Sequence, residues 1–76
     1  MINSLDVRQL LCPLPVIRVQ NAINKLAVGD QLEVWCTDPG TLHDIPTWCR
    51  INGHEVVKVE QREREIYFLL QKCDEK

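Results

Sequence analysis

A chain of 76 residues, 45% of them apolar and with a formal net charge of −2, is expected to form one folded domain over 1–76. A domain this small buries only roughly 60% of its unfolded surface, which leaves no room for a deep substrate cavity and puts its chemistry near the surface. The charge balance gives no electrostatic footing for direct nucleic-acid binding, no apolar run approaches the ~20 residues that cross a membrane, and the start Met1-Ile2-Asn3-Ser4 has neither the basic residues nor the apolar run of a signal peptide. A cytoplasmic location with no membrane contact is therefore expected.

In chain order, Leu5 and Val7 alternate with Asp6 and Arg8, which predicts a first strand over 4–10. Val16, Val19, Ile23 and Leu26 then recur at helical spacing, Ile17 and Ala22 widen the stripe, and Gly29 ends it. A second strand over 31–37 sets Leu32, Val34 and Cys36 on one face and Glu33 and Trp35 on the other. A second helix over 41–52 is expected from the apolar side Leu42, Ile45, Trp48 and Cys49. Thr41 and Asp44 are spaced as a capping box at its start, Gly53 is its stop, and Pro46 should kink it or split off an opening turn. Two strands over 54–61 and 65–72 follow. The turn Arg62-Glu63-Arg64 between them lacks glycine or asparagine, which argues against a two-residue hairpin.

The order is βαβαββ, an α+β chain. Right-handed crossovers put both helices on one face of a four-stranded mixed sheet, giving a two-layer α/β sandwich. The nearly continuous apolar run Ile66-Tyr67-Phe68-Leu69-Leu70 predicts an interior fourth strand. On the open face, Trp35, Tyr67 and Leu69 form either an apolar patch for a partner or a dimer, or ordinary surface aromatics.

The candidate site is Cys12, in Leu11-Cys12-Pro13-Leu14-Pro15 at the junction of the first strand and first helix. Unpaired N–H groups and the positive end of the helix dipole favour a thiolate there, and the thiolate is the nucleophile. Proline suits the first turn of a helix, and with Cys12 as N-cap the N–H groups of Leu14 and Val16 are available to point at the sulfur. Pro15 stands where a Cys-x-x-Cys motif has its resolving thiol, so a sulfur added to Cys12 has no sequence-adjacent thiol to expel it. That favours a carried persulfide over a dithiol redox cycle. The alternative is a buried, inert cysteine beside a proline-initiated helix. Arg8 and Arg18 either fold back to lower the Cys12 pKa or are solvated surface charges.

The stretch from Asp6 through Arg8, Gln9, Leu10, Leu11, Cys12, Pro13 and Leu14 to Pro15 resembles the signature of the small sulfur-carrier proteins of the TusA or SirA-like family, whose hallmark is Cys-Pro-x-Pro. Asp38-Pro39-Gly40-Thr41, then Asp44-Ile45-Pro46 and Cys49, resembles the second segment of that family at the expected distance. Gln9 departs from the pattern, for the family commonly has glycine there. The resemblance implies the same order of elements and a sulfurtransferase that relays sulfur on Cys12, a carrier rather than a multiple-turnover catalyst on its own. Its partners would be a sulfur-donor protein of the cysteine desulfurase or rhodanese type and a sulfur-acceptor protein. The acceptor pathways implied are tRNA thiolation, molybdenum-cofactor supply and sulfur-compound metabolism, and a monomer or weak dimer fits. The alternatives are a non-catalytic interaction or regulatory module and a selenium-related branch of the family.

No cofactor is called for. Cys36 and Cys49 fall on apolar faces and are expected in the core, while Cys73 lies near a polar C-terminus and is expected to be exposed. Cys36, His43, Cys49 and His54 lack the close Cys pair of structural zinc sites, so no metal is expected. Neither histidine is placed by the sequence beside Cys12 for Cys–His hydrolysis. Asp38 and Asp44 read as turn or capping residues.

Overall fold

In the computed structural model, which describes residues 2–11 and 14–73, the elements are β1 (Ile2–Val7), α1 (Leu14–Asn24), β2 (Gln31–Cys36), α2 (Thr41–Ile51), β3 (Glu55–Arg62) and β4 (Glu65–Gln71). The sheet order is β1-β2-β4-β3, so β4 is interior as its apolar run predicts. β1 and β2 are parallel, with Val7 opposite Cys36, and β4 is antiparallel to both β2 and β3. The sheet is therefore mixed.

One face of the sheet carries Val7, Leu32, Val34, Cys36, Ile66, Phe68 and Leu70, all buried in one cluster with Val19 and Ile23 of α1 and Ile45 and Cys49 of α2. Both helices therefore cover the same face. Alternation along β2 and β4 explains this, since successive side chains leave a strand on opposite sides and the apolar sets line up across the pairing. The loop after α1 is tied to the end of β4 by Lys72. Its ammonium donates to the Leu26 carbonyl at 2.7 Å, and its own carbonyl accepts from the Gly29 N–H at 2.7 Å.

Several local expectations are corrected. β1 ends at Val7 rather than reaching residue 10, because Gln9 adopts φ 70° and Leu10 N–H turns back to the Val7 carbonyl at 3.3 Å. α1 ends at Asn24, before its apolar stripe does, though Leu26 still packs on the core. Ile17 does not widen the buried stripe; it is exposed. At α2 the N-cap is Gly40, not Thr41. The Asp38 carboxylate accepts from the Gly40 N–H at 3.0 Å, and the buried Thr41 hydroxyl donates to the Asp38 carbonyl at 2.7 Å. Leu42 is also largely out of the core. The helix runs unbroken through Pro46, and Leu42, whose carbonyl loses its usual donor there, is itself exposed. β3 and β4 do form a two-residue hairpin. Arg62 pairs with Glu65, and Glu63 takes φ 51° in the place of a glycine. Left-handed backbone costs a side chain of this kind about 1–2 kcal/mol, which the long ladder beside it outweighs.

The same cost applies to Gln9, and it accounts for the glycine that resembling sequences carry there. Gln9→Gly removes the steric penalty and returns part of the gain as unfolded-chain entropy. The expected net result is a stabilisation of about 0.5–1 kcal/mol, read as a rise in the urea midpoint at unchanged m-value.

Candidate functional site

Because β1 and β2 are parallel, the loops that follow them leave the same edge of the sheet, and both helices start there. This is the edge where open α/β sheets ordinarily place ligands. The two loops are joined by the Gln9 N–H, which donates to the Thr37 hydroxyl oxygen at 2.7 Å. Thr37, the polar residue that follows β2, is a framing residue that pattern reading passes over, since a threonine at a strand end carries no distinctive signal. Leu10 packs against the core and Leu11 is 73% exposed, so the chain passes from interior to surface within one residue.

Cys12 and Pro13 lie outside the described residues. On their far side Leu14 begins α1, and its N–H donates to the Leu11 carbonyl at 2.9 Å. That bond corrects one expectation, since the Leu14 N–H is engaged by the backbone of Leu11. Pro15 is buried, while Leu14 and Ile17, three residues apart on one helix face, are each 45% exposed. The first turn of α1 contains no acidic residue, so its positive dipole end is not offset from within the helix. Beside this edge an open hollow of about 380 Å³ lies between Gln9, Thr37 and Pro39 on one side and Glu63, Arg64 and Ile66 on the other.

Arg8 turns to the open face of the sheet. Its guanidinium grips the Asp6 carboxylate through Nε at 3.0 Å and Nη2 at 2.9 Å, and its Nη1 reaches Glu65 at 3.2 Å. Hydrogen bonding to Arg8 holds the Asp6 carboxyl below its usual range, and Asp6 in turn raises Arg8. Arg8 is thus committed to two carboxylates, a partnership with β4 that sequence spacing does not reveal. Arg18 is exposed on α1. Trp35 and Tyr67 pack across β2 and β4 on the open face with centroids 5.3 Å apart and ring planes tilted by 57°, and the Tyr67 hydroxyl donates to Glu33 at 2.7 Å. Both rings are half-buried rather than fully exposed.

The remaining cysteines stand where their faces predict. Burial pushes the Cys36 thiol up to about 11 and the Cys49 thiol up to about 12, so both stay protonated at neutral pH. Cys73 is exposed. His54 stacks on Trp48 and accepts the Cys73 N–H, while His43 sits on the outer side of α2. Cys36, His43, Cys49 and His54 are not brought together, and the described residues contain no cluster of three or more potential metal ligands. No described helix is long and apolar enough to cross a membrane.

Native protein treated with iodoacetamide at about pH 8 is expected to be modified at Cys73 and spared at Cys36 and Cys49 until denaturant is added. Stability should also fall as pH rises from about 8.5, where unfolded thiols ionise, toward the folded values of about 11 and about 12. In that window the unfolded state binds fewer protons than the native state, which makes the slope of stability against pH negative. Peptide mapping and urea titrations across that range read both effects.

A family model described as sulfurtransferase TusA matches residues 3–72. The sulfur carrier protein TusA of Pseudomonas aeruginosa is 42% identical over 73 residues, covering 92% of this chain and 90% of that relative. Its namesake in Pseudomonas putida is 38% identical over 71 residues, covering 92% and 89%. The sulfur carrier protein TusA of Allochromatium vinosum is 32% identical over 70 residues, with 92% of both chains covered.

Proposed function

The chain belongs to the TusA sulfurtransferase family, and from that premise we propose that it is a sulfur carrier whose Cys12 accepts and relays persulfide sulfur. The observation that carries this reading is the position of Cys12 in the Cys-Pro-Leu-Pro run, between a strand that ends at Val7 and a helix that starts at Leu14. A thiol at such a junction is favoured as thiolate by the helix dipole.

The Cys12 thiolate attacks the outer sulfur of a persulfide on a donor protein. A Cys12–S bond forms, the donor's S–S bond breaks, and the donor cysteine leaves as thiolate. Delivery repeats the exchange, with an acceptor thiolate taking the outer sulfur and Cys12 leaving as thiolate. No net oxidant or reductant is consumed. Each protein partner must approach closely, and the exposed apolar side chains of Leu11, Leu14 and Ile17 offer a small rim for that approach. A donor of the cysteine desulfurase or rhodanese type, and an acceptor in tRNA thiolation or sulfur metabolism, fit this chemistry. So does a cytoplasmic setting with reduced thiols.

The test is to incubate the reduced protein with a cysteine desulfurase and cysteine, then measure intact mass and map peptides. One added sulfur on the peptide containing Cys12 is expected, and it should be lost on treatment with a reductant. Sulfur confined to Cys73 would overturn the assignment.

A further inference from the structure

We propose that the free edge of β3 is the contact surface for a second copy of this chain, paired antiparallel about Val59 to extend the sheet across both protomers. β3 lies at the end of the β1-β2-β4-β3 order, so one side of its backbone faces away from the sheet. Such an edge is a template for another strand. Val59 stands opposite Phe68, on the helix-covered face, yet it is 44% exposed.

The charge pattern identifies the occupant. Lys58, Glu60 and Arg62 stand opposite Leu69, Tyr67 and Glu65 of β4, and so share the open face. Under a twofold axis through Val59, Val59 meets Val59 of the second copy, and Lys58 meets Glu60 of the second copy twice over. Val57 is the extra residue of a bulge, since Val56 pairs with Leu70 and Lys58 with the adjoining Leu69. With Val57 set aside, Glu55 comes opposite Arg62. Every charged residue of the strand then faces its opposite, which is the self-complementarity an isologous contact requires. Lys58 and Glu60 already lie together in one chain at 3.4 Å, with side chains 56% and 39% exposed, so both are accessible to a partner.

A lysine and a bulge on an edge strand usually discourage pairing with arbitrary strands. Here they act as a filter, since an incoming strand must set a carboxylate against Lys58. β1, which leads to the Leu11 end of the candidate site, is the opposite edge of the sheet. A contact centred on Val59 of β3 therefore does not cover β1, though β3 ends beside the hollow that Gln61 helps to line.

The test is sedimentation of the intact protein over about 10 µM to 1 mM, a range suited to a small and weak interface. A monomer–dimer equilibrium is expected for wild type. Lys58→Glu and Glu60→Lys should each weaken it by about tenfold or more, by setting like charges opposite one another twice. Mixing the two variants should restore association as a heterodimer, and the double variant Lys58→Glu/Glu60→Lys should dimerise again. Circular dichroism checks that each variant folds. Wild type sedimenting as a monomer throughout would overturn the proposal. So would single variants that associate as tightly as wild type, or a mixture that fails to recover.

Discussion

Cys12→Ser is expected to reduce sulfur transfer from donor to acceptor to background, a loss of about three orders of magnitude or more, while the circular dichroism spectrum keeps its folded form. Serine preserves size and hydrogen-bonding capacity but cannot accept sulfane sulfur as a persulfide. A radiolabelled sulfur relay, with donor and acceptor both present, reads the effect directly. Cys73→Ser, at an exposed position, should leave the relay within about twofold of wild type, since loss of a surface thiol removes no attacking group. If Cys12→Ser retained transfer, the carrier role would pass to another thiol, and burial of Cys36 and Cys49 would leave Cys73 as the one to pursue among the described residues. Retention of sulfur on Cys12 with no delivery to any acceptor would point to a binding or regulatory module.

The largest loss of stability is expected from Phe68→Ala. Phe68 is fully buried at the centre of the sheet, paired with Val34 of β2 and Val59 of β3, and belongs to the cluster that both helices cover. Truncating a buried phenylalanine costs about 3–5 kcal/mol, through lost transfer energy and the cavity left behind. A domain of this length has a total stability of only about 4–11 kcal/mol. The variant should therefore lose a large share of its folded margin, seen as a fall of the urea midpoint by roughly half. Phe68→Leu, which refills part of the space, should recover part of it. A change below about 1 kcal/mol in Phe68→Ala would contradict the packing described for β4.

Much of the architecture was legible from local pattern. The period-two alternation of β2, the period near 3.6 in α1, and the unbroken apolar run of β4 each report which side of an element is buried, and burial is what the folded sheet preserves. Cys36 and Cys49 could be assigned to the core for the same reason. Errors gathered at element ends and turns. Those sites are governed by single φ angles and single capping bonds, and tertiary pairing can impose a strained conformation on Gln9 or Glu63 that their side chains alone would not choose. The short step from Val7 to Leu14 is a case of this kind, for the alternation continues past the last residue that actually pairs.

The order of elements, the buried faces and the motif containing Cys12 are all carried locally along the chain, as periodicity and residue chemistry. Folding is what pairs Arg8 with Asp6 and Glu65, anchors Gln9 on Thr37, and leaves β3 as an outer strand with Val59 uncovered. Each of these depends on strands distant in sequence being brought within hydrogen-bonding distance, and no single segment encodes its distance to another.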